Sequence, residues 1–244
     1  MDEARKRLGF LSQDATSALA RHGVLLPDPA SVLVSGDVRL EQGVVLWPNV
    51  ILQISEGGSI AIGPGANLYP GTRIVAAGGS VTVGAGTEIG DEGGFTIKAG
   101  AGEVITIGDG ARLLGGGSLA LSNRIGRGAQ ILGPIRCQNC HLDDGGTYRD
   151  PDPDERGGVL KGSGVARGIE VPQGHVIQAF GLFAEGVLRR QSYFHPKRAE
   201  NPVQDQSCSR GEGAGSVMGS PSFSRRSKWA TEQAWEHRSP RSDQ

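Results

Sequence analysis

Val34, Leu40, Leu46 and Leu52 stand six residues apart, and the same count resumes through Ile62, Leu68 and Ile74. Val83 and Ile89 follow, then Ile97, Ile107, Leu113, Leu121, Ile125, Ile131 and Cys137. All of these positions but Cys137 hold Val, Ile or Leu. Two residues before them runs a second set of smaller or β-branched side chains, among them Val32, Val44, Ala66, Thr72, Val81, Thr87, Ala111 and Ala129. An α-helix repeats about every 3.6 residues and cannot hold such a period. In an extended strand, residues two apart share a face, so each hexad offers one large and one smaller inward side chain, then a corner.

Glycine supplies the corners. The chain has 40 glycines in 244 residues, more than twice the usual share of about 7%. They fall in turn-forming triplets such as Gly63-Pro64-Gly65 and Gly84-Ala85-Gly86. Three flat strands and three corners close a coil of roughly eighteen residues, and coils stack as parallel strands about 4.8 Å apart. The expected fold is all-β, a single-stranded parallel β-helix of hexapeptide repeats over residues 31–180. Departures from the count, at 52 to 62, 74 to 83 and 97 to 107, are expected to leave the prism and return.

Residues 1–30 read as an N-terminal helix and linker. Ala4, Leu8, Leu11, Ala15, Ala18 and Leu19 form one apolar stripe over 3–22, ended by Gly23. Residues 143–164 lack hexads and read as a loop; 181–198 read as a cap. The Ser-, Gly- and Arg-rich tail, 199–244, has no apolar period and is expected to be disordered.

Composition excludes several roles. A net charge of -1 offers no basic field for nucleic acid. No apolar run is long enough to span a bilayer. The first residues, of mixed charge and without an apolar core, do not read as a signal peptide. Three cysteines build no disulfide framework. These readings together point to the cytoplasm, with no membrane partner.

Cys137, Cys140 and His141 form C-x-x-C-H, the spacing of a c-type haem attachment and half a zinc site. The six-count gives another meaning. Cys137 continues the inward series, and Cys140 and Leu142 make the next inward pair, so the cysteines act as small buried hydrophobes. Neither haem nor zinc is expected. His141, between two inward residues, faces out, either as a solvated histidine or as a proton acceptor at neutral pH. The acidic run from Asp143 to Glu155 reads as a solvated loop.

Residues 22–52 carry a specific resemblance. Gly23, Val24, Asp28, Pro29, Ser31, Asp37, Val38, Pro48 and Asn49 match the pattern that opens the acetyltransferase half of the bifunctional N-acetylglucosamine-1-phosphate uridyltransferase and glucosamine-1-phosphate acetyltransferase. The uridyltransferase domain has no counterpart in this sequence, and beyond residue 52 the likeness is to hexapeptide-repeat transferases in general. The resemblance implies a left-handed coil and a homotrimer with sites between neighbouring prisms. It also implies acetyl-CoA as co-substrate and an amino sugar, sugar phosphate or nucleotide sugar (UDP-N-acetylglucosamine among them) as acceptor. That family's general base lies in an Asn-His stretch. Asn139 and His141, with one residue between them, are its counterparts here, and His195 in the cap is the remaining candidate catalytic residue. Two other readings stand beside it: a non-catalytic trimeric scaffold or sugar-nucleotide-binding protein, and a filament-forming β-helix of the bactofilin sort.

Overall fold

The computed structural model describes residues 2–195. The expected disordered tail, 199–244, and the last residues of the expected cap lie outside them. The chain winds as a parallel β-helix with three faces. The first face stacks Leu33–Val34, Ile51–Ser55, Arg73–Ala77, Thr96–Ala99, Ser118–Ala120 and Ile135–Gln138. The second stacks Arg39–Leu40, Ser59–Ile62, Ser80–Val83, Val104–Ile107, Asn123–Ile125, His141–Leu142 and Glu170–Val171. The third stacks Val45–Leu46, Asn67–Leu68, Glu88–Ile89, Arg112–Leu114 and Gln130–Leu132.

Register sets the core. On the third face Leu46, Leu68, Ile89, Leu113 and Ile131 lie directly over one another and are fully buried. Val34, Leu46, Ile62, Val83, Ile107, Ile131 and Cys137 all belong to one continuous hydrophobic cluster, as the hexads predict. Burying each Leu or Ile contributes about 1.5–3 kcal/mol, and the smaller partners at Ala66, Thr72, Thr87, Ala111 and Ala129 fit the narrow corners. Thr72 and Thr87 satisfy their hydroxyls by donating to the carbonyls of Ile89 and Gly84.

Four expectations need correction. Leu121 is not inward: it is exposed and turns a corner at φ 63°. Leu119 takes the slot, between Ile97 and Cys137 in register, so the six-count from Leu113 runs unbroken. The irregular gaps do not leave the prism. All three fall at the corner between the first and second faces, and they lengthen the strands there so that Ser55 pairs with Ala77 and Ala76 with Ala99. Insertions of four, three and four residues at the same corner of successive coils stack upon one another. The N-terminal helix is broken in two, Asp2–Arg7 and Gln13–Ala18, followed by a tight turn at Leu19–His22. Gly9 takes φ 80°, Phe10 bridges Ser35 of the first coil, Ser12 caps the second helix, and Leu8 is left exposed. Docking Phe10 and Leu11 onto the coil outweighs one continuous stripe.

The expected loop 143–164 ends early, because a strand, Val159–Arg167, starts inside it. This strand pairs with Gln130–Leu132 on the third face and with Ile135–Gln138 on the first. Two faces thereby merge into one sheet. The bend uses Gly162 and Gly164 at φ 125° and 132°, a region open essentially to glycine, and a Cβ at either would strike the carbonyl below it. His175–Leu182 then lies alongside for seven paired residues, and Leu188–Arg190 returns antiparallel across its start. None of the described helices is long and apolar enough to cross a membrane.

Candidate functional site

His141 stands on the outer surface of the second face, in register between Arg124 and Glu170. The alternation that buries Cys140 and Leu142 turns its ring outward, as the sequence implies. Asn139 sits at the preceding corner with φ 51°, a left-handed conformation that asparagine tolerates better than most residues. Both line a groove of about 330 Å³ with Val104, Thr106, Ser122, Asn123 and Arg124. Asn123 makes the groove wall rigid: buried, it donates to the carbonyls of Ala120 and Leu121 and accepts the Cys140 N–H.

Asp143, two residues on and therefore on the same face, places Oδ1 3.3 Å from His141 Nε2. Its neighbour Asp144 is engaged elsewhere. The Arg127 N–H and then the Arg124 guanidinium hold its carboxyl below the usual carboxylate range. Of the two acids, then, Asp143 faces the imidazole. At that distance the carboxylate favours a proton on Nε2, and a histidine whose Nε2 carries the proton has its Nδ1 lone pair free to act as a base.

Cys137 and Cys140 are buried core residues. The Cys140 thiol donates to the carbonyls of Ala166 and Gln138, and hydrogen bonding with Cys140, then burial, pushes the Cys137 thiol well up. Among the described residues, no three His, Cys, Asp or Glu side chains converge as metal ligands.

His195 lies apart from His141, in a second cleft on the third face, near Arg112, Tyr148, Arg156 and Lys161. The structure therefore unites Asn139 with His141 and separates His195 from both. Asp143 was legible as an i+2 neighbour of His141. Arg124, one coil earlier, follows from the register alone, whereas the cleft depends on how residues 143–158 fold back. The chain matches no protein-family model and no curated protein.

Proposed function

We propose that the protein is a hexapeptide-repeat acyltransferase, moving an acetyl group from acetyl-CoA to an amino sugar, sugar phosphate or nucleotide sugar in the cytoplasm. The carrying observation is the outward His141, with Asp143 Oδ1 3.3 Å from its Nε2, in a groove it shares with Asn139. The thioester is already activated, so the chain's task is positioning and one proton transfer. The acceptor nitrogen or oxygen attacks the acetyl carbonyl. A C–N or C–O bond forms, the C–S bond breaks, and the acceptor's proton passes to His141 Nδ1 and from there to the departing thiolate. Asp143 stabilises the imidazolium between these steps. A homotrimer would enclose the open groove against a neighbouring prism. The resemblance over residues 22–52 to the glucosamine-1-phosphate acetyltransferase half supports an amino-sugar phosphate as the acceptor class.

The second reading is a trimeric scaffold or sugar-nucleotide-binding protein without turnover. It draws on the groove lining, in which His141 is the one imidazole among the described residues. The deciding experiment incubates the protein with acetyl-CoA and a panel of amino sugars and sugar phosphates while free thiol is followed. His141→Ala should lower turnover about 10²–10⁴-fold and leave the oligomer intact. Undiminished turnover in that variant would clear His141, and absence of turnover in the native protein would favour the scaffold.

A further inference from the structure

The excursion after His141–Leu142 crosses the corner between the second and third faces and roofs part of the third. Tyr148 lies with its ring 3.9 Å from the Arg112 guanidinium carbon and 4.8 Å from that of Arg149. Beneath this roof is a cleft of about 270 Å³. Its floor is the outer surface of stacked strands, where Leu132, Val159 and Val176 supply an apolar base and Gln130 and Gln178 supply amides. Arg112, Arg156, Lys161 and His195 line it, and among the described residues no carboxylate does.

The charge is unbalanced. Arg112 is paired with Glu88 at 2.8 Å. Arg156 and Lys161 have no carboxylate within bridging distance among the described residues. Arg156 is nonetheless fixed, since Nε and Nη2 both donate to the Asp150 carbonyl at 2.9 and 2.6 Å. That contact orients a guanidinium without neutralising it. Two uncompensated cations beside one cleft, in a chain of net charge -1, call for an anion.

The walls are held in advance of any ligand. Gln191, buried in the cap, donates Nε2 to the Gly157 carbonyl at 2.7 Å. Asp154 accepts both the N–H and the hydroxyl of Ser192 at 3.0 Å. The Gly174 N–H donates to the Arg156 carbonyl at 2.7 Å. Excursion and cap are thus latched on either side of Arg156, which lowers the ordering cost of binding.

We infer that this cleft binds a phosphomonoester carried on a small ring, the phosphate between Arg156 and Lys161 and the ring over the apolar floor. Guanidinium and ammonium together suit a dianionic phosphate. The volume, about 270 Å³, lies just below the usual range of about 300–1,000 Å³ for ligand pockets and suits one ring with its phosphate. The glutamines offer both donors and acceptors to ring hydroxyls or carbonyls. The inference is independent of acyl transfer: the cleft and the His141 groove lie on different faces, and binding is read without turnover.

The test is isothermal titration of the full chain at constant ionic strength with four probes: N-acetylglucosamine 1-phosphate, uridine monophosphate, inorganic phosphate and N-acetylglucosamine. One of the two organic phosphates should bind saturably, more tightly than inorganic phosphate and far more tightly than the neutral sugar. Which of the two binds better distinguishes a sugar phosphate from a nucleotide as the source. Lys161→Ala, at an exposed position, should weaken that binding about tenfold, as expected for loss of a charged hydrogen bond. Arg156→Lys, which keeps the charge and loses the fork, should weaken it as well. No saturable binding at millimolar concentrations, equal binding of inorganic phosphate, or affinity unmoved by both substitutions would overturn the assignment.

Discussion

The wall of the coil, residues 33–142, and its closing turn, residues 143–195, are built by opposite rules. The wall repeats. Many of its strands are two residues long, and every coil buries equivalent positions. The closing turn breaks the repeat with an excursion, a strand shared by two faces and an antiparallel return. Both sets of candidate functional residues lie where the two regions meet. Repetition supplies a rigid floor and the open groove around His141, and its interruption roofs the cleft beside Arg156.

The sharpest way to break this comparison is at the shared strand. Gly164→Val should destabilise by more than about 4 kcal/mol, because it combines a backbone clash with a forbidden φ. Gly168, at φ 59° with open space where a Cβ would stand, provides the control; Gly168→Ala should cost about 1 kcal/mol. Thermal unfolding measures both, and equal effects would remove the distinction between the merged corner and an ordinary one.

A smaller effect is expected in the wall. Leu113→Ala should cost about 2–5 kcal/mol through the cavity it leaves. Leu121→Ala, at the exposed corner, should fall within about 0.5 kcal/mol. Chemical denaturation that ranked Leu121 with Leu113 would restore the inward assignment that the register rejects.

The smallest effect concerns the latch. The Ser192 N–H and then its hydroxyl hold the Asp154 carboxyl below its ordinary value of 3.8, with Arg190 adding to the shift. A carboxyl depressed in the folded state contributes stability that is complete above its unfolded value and is lost as pH falls through the folded one. The stability difference between the native protein and Asp154→Asn should therefore be constant at neutral pH and shrink below about pH 4. A difference that stayed flat into acid would mean that the carboxylate is not the group holding the cap.

What was legible follows the same division. Leu46, Ile62, Ile89 and Ile131 announce themselves because burial in a stacked coil imposes one period on all of them. The outward phase of His141 follows from its buried neighbours, Cys140 and Leu142. Leu121 misleads because a leucine stands eight residues after Leu113, two beyond the unbroken count that leads to Leu119. The cleft was not legible. Arg112, Tyr148, Arg156 and His195 are brought together by an excursion whose path is set by the Gln191–Gly157 and Asp154–Ser192 contacts, and no periodicity encodes those. The broken N-terminal helix has a similar cause: a tertiary contact of Phe10 overrides a local stripe.

The strand that belongs to two faces has a mechanical consequence. In a stacked coil each rung touches only its neighbours, so stability is nearly a sum over rungs. Tension applied at the N-terminal end meets two-residue rungs such as Leu33–Val34 and Arg39–Leu40, which can open one after another in small steps. At the other end, Val159–Arg167 is bound to both the first and third faces and to seven residues of His175–Leu182. It cannot yield on one face while holding on the other. Stretching single molecules should therefore give a gradual sawtooth as the first coils unwind and one abrupt, high-force rupture when the closing turn lets go.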